Sequence, residues 1–211
     1  MINLIQVNWD KSPDNIGQSV DSMGLYAERY GKHEALFGFY LLNEPVADIL
    51  KLQDYYKRTY ERVTQHSNHS YIVISPLFGH ETGAEAHWTG FMNPAQGYHN
   101  VAMDLHFYSC FGGEADKKGS DAVIGYVKKE RMNQILDYMK KTPKPLLIGE
   151  WSACGQVTED RVGELYKAQL EVYDQANLGW TFWSWTPSPM GNRWSLKEAF
   201  DKHWVTDLYP C

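Results

Sequence analysis

The sequence predicts an α/β fold with a parallel sheet, organised as a single domain over residues 1–211. Two observations carry this expectation. Short apolar runs of strand length alternate with amphipathic segments of helix length along the whole chain, which is the pattern of β-α crossovers. Two of the apolar runs, Leu41-Leu42-Asn43-Glu44-Pro45 and Leu146-Leu147-Ile148-Gly149-Glu150-Trp151, also end in a glutamate beside a turn. An apolar strand that delivers a carboxylate at its last residue gains nothing in folding from it. The placement is useful where α/β folds gather their active residues, at the C-terminal ends of the strands.

The elements follow in order. Ser12-Pro13 supplies a capping residue and a proline for the first turn of a helix, which runs through Ile16, Val20, Met23 and Ala27 to a stop at Gly31. The run Leu36–Leu42 reads as a strand, and a longer amphipathic helix passes through Ile49, Leu52, Tyr56 and Val63. Tyr71–Ser75 is rich in β-branched residues and reads as a second strand. Gly79–Tyr98 has scattered Gly, His and Asn and reads as loop with a short helix. Val101–Phe107 is a third strand, followed by a Gly-rich loop at Phe111–Gly119 and a helix over about Asp121–Lys140. Leu146–Gly149 is a fourth strand after Pro143 and Pro145. A helix near Glu159–Ala176 leads to a fifth strand, Trp180–Trp185, and a last helix starts near Ser195.

Composition narrows the function. A net charge of -6 and the lack of a Lys/Arg run argue against nucleic acid as a partner. No apolar stretch approaches the roughly 18–20 residues needed to span a bilayer. Met1–Ile5 meets polar residues at once, which fits neither a signal peptide nor an anchor. Three cysteines (Cys110, Cys154 and Cys211) form no disulfide framework and no metal spacing. Either one pair is bridged or all three are reduced. Asn68-His69-Ser70 is a sequon between a helix and a strand. Aromatics reach 14% of the chain, with eight Trp and fourteen Tyr, and admit two readings: a well-filled core, or flat faces for stacking on sugars.

The strand ends read Asn43-Glu44, Ser75, His106 with Tyr108, Glu150, and Trp183 with Trp185. In a parallel sheet they share one rim. Each has a plainer role available: a solvated glutamate, a satisfied structural histidine, a core tryptophan. Their convergence favours chemistry. An amide beside an acid binds a sugar hydroxyl, His106 and Tyr108 orient a carboxylate, and two carboxylates are what cleavage of a glycosidic bond requires.

Asn43-Glu44-Pro45, His106-Phe107-Tyr108, Gly149-Glu150-Trp151 and Trp183, in that order, resemble glycoside hydrolase family five, a (β/α)8-barrel family of retaining glycosidases. Asp104–Tyr108, Ile148–Ser152 and Gly179–Trp183 are most similar to its exo-β-1,3-glucanase branch. The resemblance runs from about Trp9 to near Val205. It implies that Glu44 is the general acid/base and Glu150 the nucleophile, about 5–5.5 Å apart as retention requires. It further implies that Asn43 holds the 2-hydroxyl, that His106 and Tyr108 organise the carboxylates, that Trp183 floors the first subsite and that Phe111 is an entrance aromatic. The implied partner is a β-linked oligo- or polysaccharide. No metal or cofactor is implied.

The first matched strand corresponds to the family's fourth. A partial (β/α)8 TIM barrel is therefore expected, about strands four to eight with their helices and without the first strands, against the about 250 residues of a typical barrel. Open edges would then be covered or paired with another chain by self-association. Two functions follow: a retaining exo-β-1,3-glucosidase-like hydrolase, or a non-catalytic glucan-binding remnant of one. Family members are usually secreted, which implies an extracellular or cell-wall location.

Overall fold

The computed structural model describes residues 2–3, 9–80, 85–112, 116–186 and 190–208. They fall into two compact units, Met1–Asp104 with Thr142–Lys144 and Leu105–Lys141 with Pro145–Cys211. Ser12 opens helix α1 (Pro13–Tyr30) from an extended backbone, its hydroxyl accepting the Asn15 amide at 3.1 Å. Val20, Met23 and Ala27, three and four residues apart, form the buried stripe. Gly31 ends the helix, its N–H donating to the Ala27 carbonyl at 2.7 Å. A Cβ on Gly31 would lie 2.3 Å from that carbonyl oxygen and 2.8 Å from Ser67 Cβ, so only glycine fits the approach.

In this first unit β1 (Ile2–Asn3), β2 (Gly38–Tyr40), β3 (Tyr71–Ile74) and the start of β4 (Val101–Phe107) are parallel neighbours in chain order. The registers are Ile2↔Phe39, Phe39↔Ile72 and Ile72↔Val101. All seven residues of β4 are buried, as expected of a parallel strand covered on both faces. The expected strand Leu36–Leu42 shortens to three residues. Leu36 is held in a turn by its bond to the His33 carbonyl, and the chain leaves the ladder ahead of Glu44, where φ turns positive. Leu41 and Leu42 are nonetheless buried, so the apolar run marks core more widely than strand. Residues 4–7 of the expected stub strand Ile2–Val7, and residues 81–84 of the loop before β4, lie outside the described residues. The rest of that loop holds the short helix α3 (Glu85–Trp88) and a 3-10 turn at Pro94–Gln96.

Helix α2 (Ile49–Thr64) is capped by Asp48, whose carboxylate accepts from the Leu50 and Lys51 amides at 2.9 and 3.2 Å. Its buried tyrosines hold strand ends in place: Tyr55 donates to the Leu41 carbonyl and Tyr56 to the Ser75 carbonyl. Asn68 of the sequon is exposed between α2 and β3.

The second unit begins with the end of β4, beside which lies β5 (Leu146–Trp151). The long helix expected over Asp121–Lys140 forms as α4 (Ser120–Tyr126), a π-helical stretch Val127–Arg131 and α5 (Met132–Lys141). The wide turn aims Arg131 inward. Its guanidinium lies 4.2 Å over the Phe107 ring and 5.3 Å over Tyr126 and donates to the Tyr108 carbonyl at 3.1 Å. A 3-10 turn at Glu159–Arg161 leads into α6 (Val162–Tyr173), and Ser195 caps α7 (Leu196–Asp201).

Trp180–Trp185, expected as a fifth strand, is a correction. It makes one isolated parallel bridge, Ile148↔Trp180, and bonds from Thr181 to Ile148 and from Trp183 to Trp151. These bonds run to β5 on one side, and from Ser184 onward the backbone instead pairs with Trp194 and Leu196. Trp151 centres an aromatic core, with Tyr173, Trp180 and Phe182 rings within 5.3 Å of it. The first reading of the aromatic richness therefore holds for most of these rings. Cys110 and Cys154 form a disulfide, closing a loop of 44 residues' separation. By chain entropy such a closure contributes about 4 kcal/mol. Cys211 lies outside the described residues, as do 113–115 of the Gly-rich loop.

Two stability predictions arise here. Lys144 is only 2% exposed, and its ammonium donates to the Thr89 and Phe91 carbonyls and to Asn93 Oδ1 at 3.2, 2.7 and 2.7 Å. Lys144→Ala leaves these acceptors without their donor and should lower the unfolding free energy at pH 7 by about 2–4 kcal/mol in urea titrations.

Burial also holds the phenols of Tyr40, Tyr55, Tyr56, Tyr166 and Tyr173 above their ordinary pKa of 10.0. The unfolded chain loses these protons near pH 10 while the folded chain keeps them. The stability they contribute is present below that pH and falls above it, by about 1.4 kcal/mol per pH unit for each phenol. Lys144 acts in the opposite sense. Burial lowers its pKa to about 8, so stability rises between pH 8 and the ordinary value of 10.5. Five phenols outweigh one amine, so the urea midpoint should drop between pH 9 and 11; an unchanged midpoint would contradict this account.

Candidate active site

His106 and Glu150 sit near the ends of β4 and β5, Tyr108 directly follows β4, Asn43 and Glu44 lie in the turn after β2, and Phe111 and Trp183 lie in loops. In the first unit, β2 runs out at Tyr40 and the chain turns through Asn43-Glu44-Pro45. The turn is tied down by Leu41 N–H to the Val73 carbonyl and by Phe78 N–H to the Pro45 carbonyl, at 3.0 and 2.9 Å. Pro45 is buried, while Asn43 and Glu44 are partly exposed. Glu44 has φ 44°, a left-handed backbone that few residues other than glycine adopt and that costs about 1–3 kcal/mol. A loop under ordinary selection for stability would carry glycine or asparagine there. A glutamate held in that conformation has its side chain aimed by a backbone the surroundings impose.

Beneath this turn lies a buried polar cluster absent from the expected site. The Tyr40 hydroxyl lies 2.7 Å from Ser75 Oγ and donates to the Asp104 carboxylate, and Ser75 Oγ approaches Asp104 Oδ2 at 3.3 Å. Burial raises the Tyr40 pKa, and the Asp104 charge raises it further, so the phenol keeps its proton. The sequence carried a signal for Asp104: it precedes His106 and Tyr108 by two and four residues in a run otherwise apolar up to Tyr108.

In the second unit His106, Tyr108 and Glu150 come together. The Tyr108 hydroxyl donates to Glu150 Oε2 at 2.8 Å, a bond that favours the ionised carboxylate. His106 Nδ1 stands 3.7 Å from the same oxygen, an electrostatic neighbour beyond hydrogen-bonding distance. The His106 side chain is 5% exposed and that of Glu150 is 16% exposed, so the carboxylate meets solvent at one edge only. Behind it, Gln169 donates to the Ser152 carbonyl at 2.9 Å and Ala153 N–H donates to the Arg193 carbonyl at 3.1 Å, fixing the backbone after β5.

Aromatic rings border this carboxylate. Phe111 packs on Tyr108 at 5.4 Å and Trp194 on Tyr108 at 5.1 Å, with Phe111 and Trp194 5.7 Å apart. Trp183 is tethered by its N–H to the Trp151 carbonyl at 2.9 Å, and the Trp183–Ser184 peptide is cis. Trp183 is 48% exposed, Trp185 60% and Phe111 66%. Large exposed rings are what the second reading of the aromatics, stacking on a sugar face, requires. Trp194 and Arg131 were missed from the sequence. They reach the site from a 3-10 turn (Asn192–Trp194) and from the inner side of a helix, and no local pattern marks either one. Chemically, the second unit presents a carboxyl group held near the end of β5 with the Tyr108 hydroxyl on it and flat apolar surfaces alongside.

Comparison with known proteins bears on the family and the fold. The family model for cellulase (glycosyl hydrolase family 5) matches residues 1–189. The protein named probable glucan 1,3-beta-glucosidase A of Aspergillus terreus is 22% identical over 244 residues, covering 92% of this chain and 55% of that one. Its namesake in Neosartorya fischeri is 25% identical over 229 residues, covering 85% and 50%. The chain thus spans about half the length of these curated relatives. Among solved structures, an endoglucanase superposes with a TM-score of 0.72 at 14% identity over 94% of this chain and 70% of that one. An endo-glycoceramidase II from Rhodococcus sp. gives 0.63 at 19%, over 90% and 46%. The expected α/β fold of the partial (β/α)8-barrel class is therefore the observed fold class, and the chain belongs to glycosyl hydrolase family 5, the cellulase family.

Proposed function

We propose that this chain hydrolyses β-linked glucans or β-glucosides with retention of configuration, residues 1–211 acting as one catalytic domain, and that its preferred bond is the terminal β-1,3 linkage. The observation that carries the reading is Glu150, fixed at the end of β5 with the Tyr108 hydroxyl on its Oε2 and rings beside it. Family membership and glucan 1,3-beta-glucosidase relatives support the substrate class.

In the proposed mechanism Glu150 attacks the anomeric carbon while Glu44 protonates the leaving oxygen. Glu44 then deprotonates the water that releases the sugar. Asn43 holds the 2-hydroxyl. Tyr108 keeps Glu150 ionised and oriented before attack, and as charge leaves the carboxylate on bonding, its hydrogen bond weakens without moving the ring. His106 stands close enough to bias the same oxygen. Trp183 supports the sugar in the first subsite and Phe111 lies at the entrance. The disulfide fits an extracellular or cell-wall setting. No helix among the described residues is long and apolar enough to cross a membrane. Self-association through strand edges belongs to the same proposal and is read by sedimentation velocity.

Kinetics on an aryl β-glucoside test this. Glu150→Gln should lower kcat at least about 1,000-fold, and the first sugar anomer seen by proton NMR should be the β form. Glu44→Ala should lose about 100–10,000-fold on substrates with poor leaving groups and much less on dinitrophenyl glucosides, which need little protonation. Trp183→Ala should raise KM about tenfold through lost stacking. Glucan binding with no turnover in any of these assays would instead identify a binding module built on exposed Trp183, Trp185 and Phe111.

A further inference from the structure

The disulfide occupies a particular place. Cys110 lies two residues beyond Tyr108 and directly before Phe111, and Cys154 lies four residues beyond Glu150. The bridge and the Tyr108–Glu150 hydrogen bond therefore close a small ring, with residues 108–110 on one side and 150–154 on the other. The catalytic hydrogen bond is one closure of that ring and the S–S bond is the other. A covalent closure this near raises the effective concentration of the Tyr108 hydroxyl at Glu150, because only a few backbone torsions separate them.

Other restraints on the Tyr108 segment are non-covalent: Arg131 on the Tyr108 carbonyl at 3.1 Å, and the Trp194 ring at 5.1 Å. On the other side, Arg193 donates to the Gly155 and Val157 carbonyls at 2.6 Å each, holding the chain just past Cys154. The Cys154 side is thus anchored independently of the bridge, whereas Tyr108 and Phe111 are joined to that anchor by it. The bridge is also reachable. Cys110 is partly exposed, and Cys154 lines an open cleft of about 450 Å³ with Gly155, Met190, Arg193 and Trp194. That is room for a small thiol.

We propose that the Cys110–Cys154 disulfide is a redox-controlled positioning device for the nucleophile: closed, it holds the Tyr108 hydroxyl on Glu150, and opened by a thiol reductant, it releases Tyr108 and slows turnover. The proposal rests on the hydrolase reading for its effect on rate. Opening is thiol–disulfide exchange. Two equivalents of a monothiol, or one of a dithiol, supply two electrons and two protons; the S–S bond becomes two cysteine thiols and the reductant leaves as its own disulfide. Cys110 and Cys154 are positioning residues, since neither touches the reacting atoms.

The experiment compares the full chain as oxidised protein, after dithiothreitol, and after reoxidation with oxidised glutathione, at a temperature where near-ultraviolet circular dichroism shows every form folded. The Glu150 carboxyl is titrated by carbon-13 NMR, its resonance assigned with Glu150→Gln. Reduction should raise its midpoint by about one pH unit through loss of the Tyr108 donor. It should also lower kcat on an aryl β-glucoside about tenfold with little change in KM, and reoxidation should reverse both. Cys154→Ser should behave as reduced protein and ignore dithiothreitol. A bridge that only staples the fold would lower the melting temperature and leave the Glu150 midpoint and kcat unchanged, and that result overturns the proposal. If no form turns over the glucoside, the hydrolase reading fails, and the carboxyl titration alone still decides whether the bridge positions Tyr108.

Discussion

A parallel strand covered on both faces leaves no room for an unpartnered polar group, and the arrangement of this molecule follows from that constraint. All seven residues of β4 are buried, yet the strand carries Asp104 and His106. Each polar side chain in such a strand costs several kcal/mol unless another group meets it. Tyr40 and Ser75, from β2 and the end of β3, meet Asp104. Glu150 stands beside His106 at the end of β5. The partners come from neighbouring strands because only those side chains reach into the same layer. With these polar groups met, the apolar remainder of each unit can pack without interruption.

The same logic explains which parts were legible in the sequence. Helices α1 and α2 begin and end within a residue or two of the expected positions, because Ser12, Pro13 and Gly31 act locally on backbone donors and acceptors. His106, Tyr108 and Glu150 were legible because a two-residue period and a strand-end position are local too. Strand extent was less so. Leu36–Leu42 and Trp180–Trp185 are apolar for burial, but ladder pairing depends on a partner edge, and the chain leaves the ladder where turns at His33 and Glu44 or bonds to Trp194 compete for the backbone. Arg131 was illegible for another reason. A π-helical turn shifts the helical phase, so a residue that a regular helix would place by its period turns inward to Phe107 and Tyr108. The disulfide illustrates the limit of spacing: three cysteines leave the pairing open until Cα atoms 5.5 Å apart settle it.

The aromatic content resolves along physical lines. Rings around Trp151 meet edge to face at about 5 Å, an arrangement that gains from quadrupole contact as well as area. Burial there pushes the Tyr166 and Tyr173 phenols toward their neutral form. Phe111, Trp183 and Trp185 differ in kind, since each leaves about half or more of its surface in water. Exposed rings of this size gain nothing for the isolated fold, whereas a flat, weakly hydrated face binds the apolar face of a pyranose with little entropy lost by the side chain. Core rings make the second unit rigid, and the exposed rings draw their precision from that rigidity.

Rigidity bears directly on the two glutamates. Glu150 is aimed by a regular strand, a phenol and a fixed backbone behind it, so its geometry costs the fold little beyond partial desolvation. Glu44 is aimed by a left-handed backbone, which costs free energy that the bonds from Leu41, Phe78 and Tyr55 offset. Under the proposed mechanism the two means of fixing a carboxylate suit two tasks. A nucleophile should stay ionised and change its surroundings little as it bonds, which a donor on a stiff strand provides. For a proton donor the matching requirement is a fixed direction, and under the proposed roles the turn held by the bonds of Leu41, Phe78 and Tyr55 supplies it to Glu44.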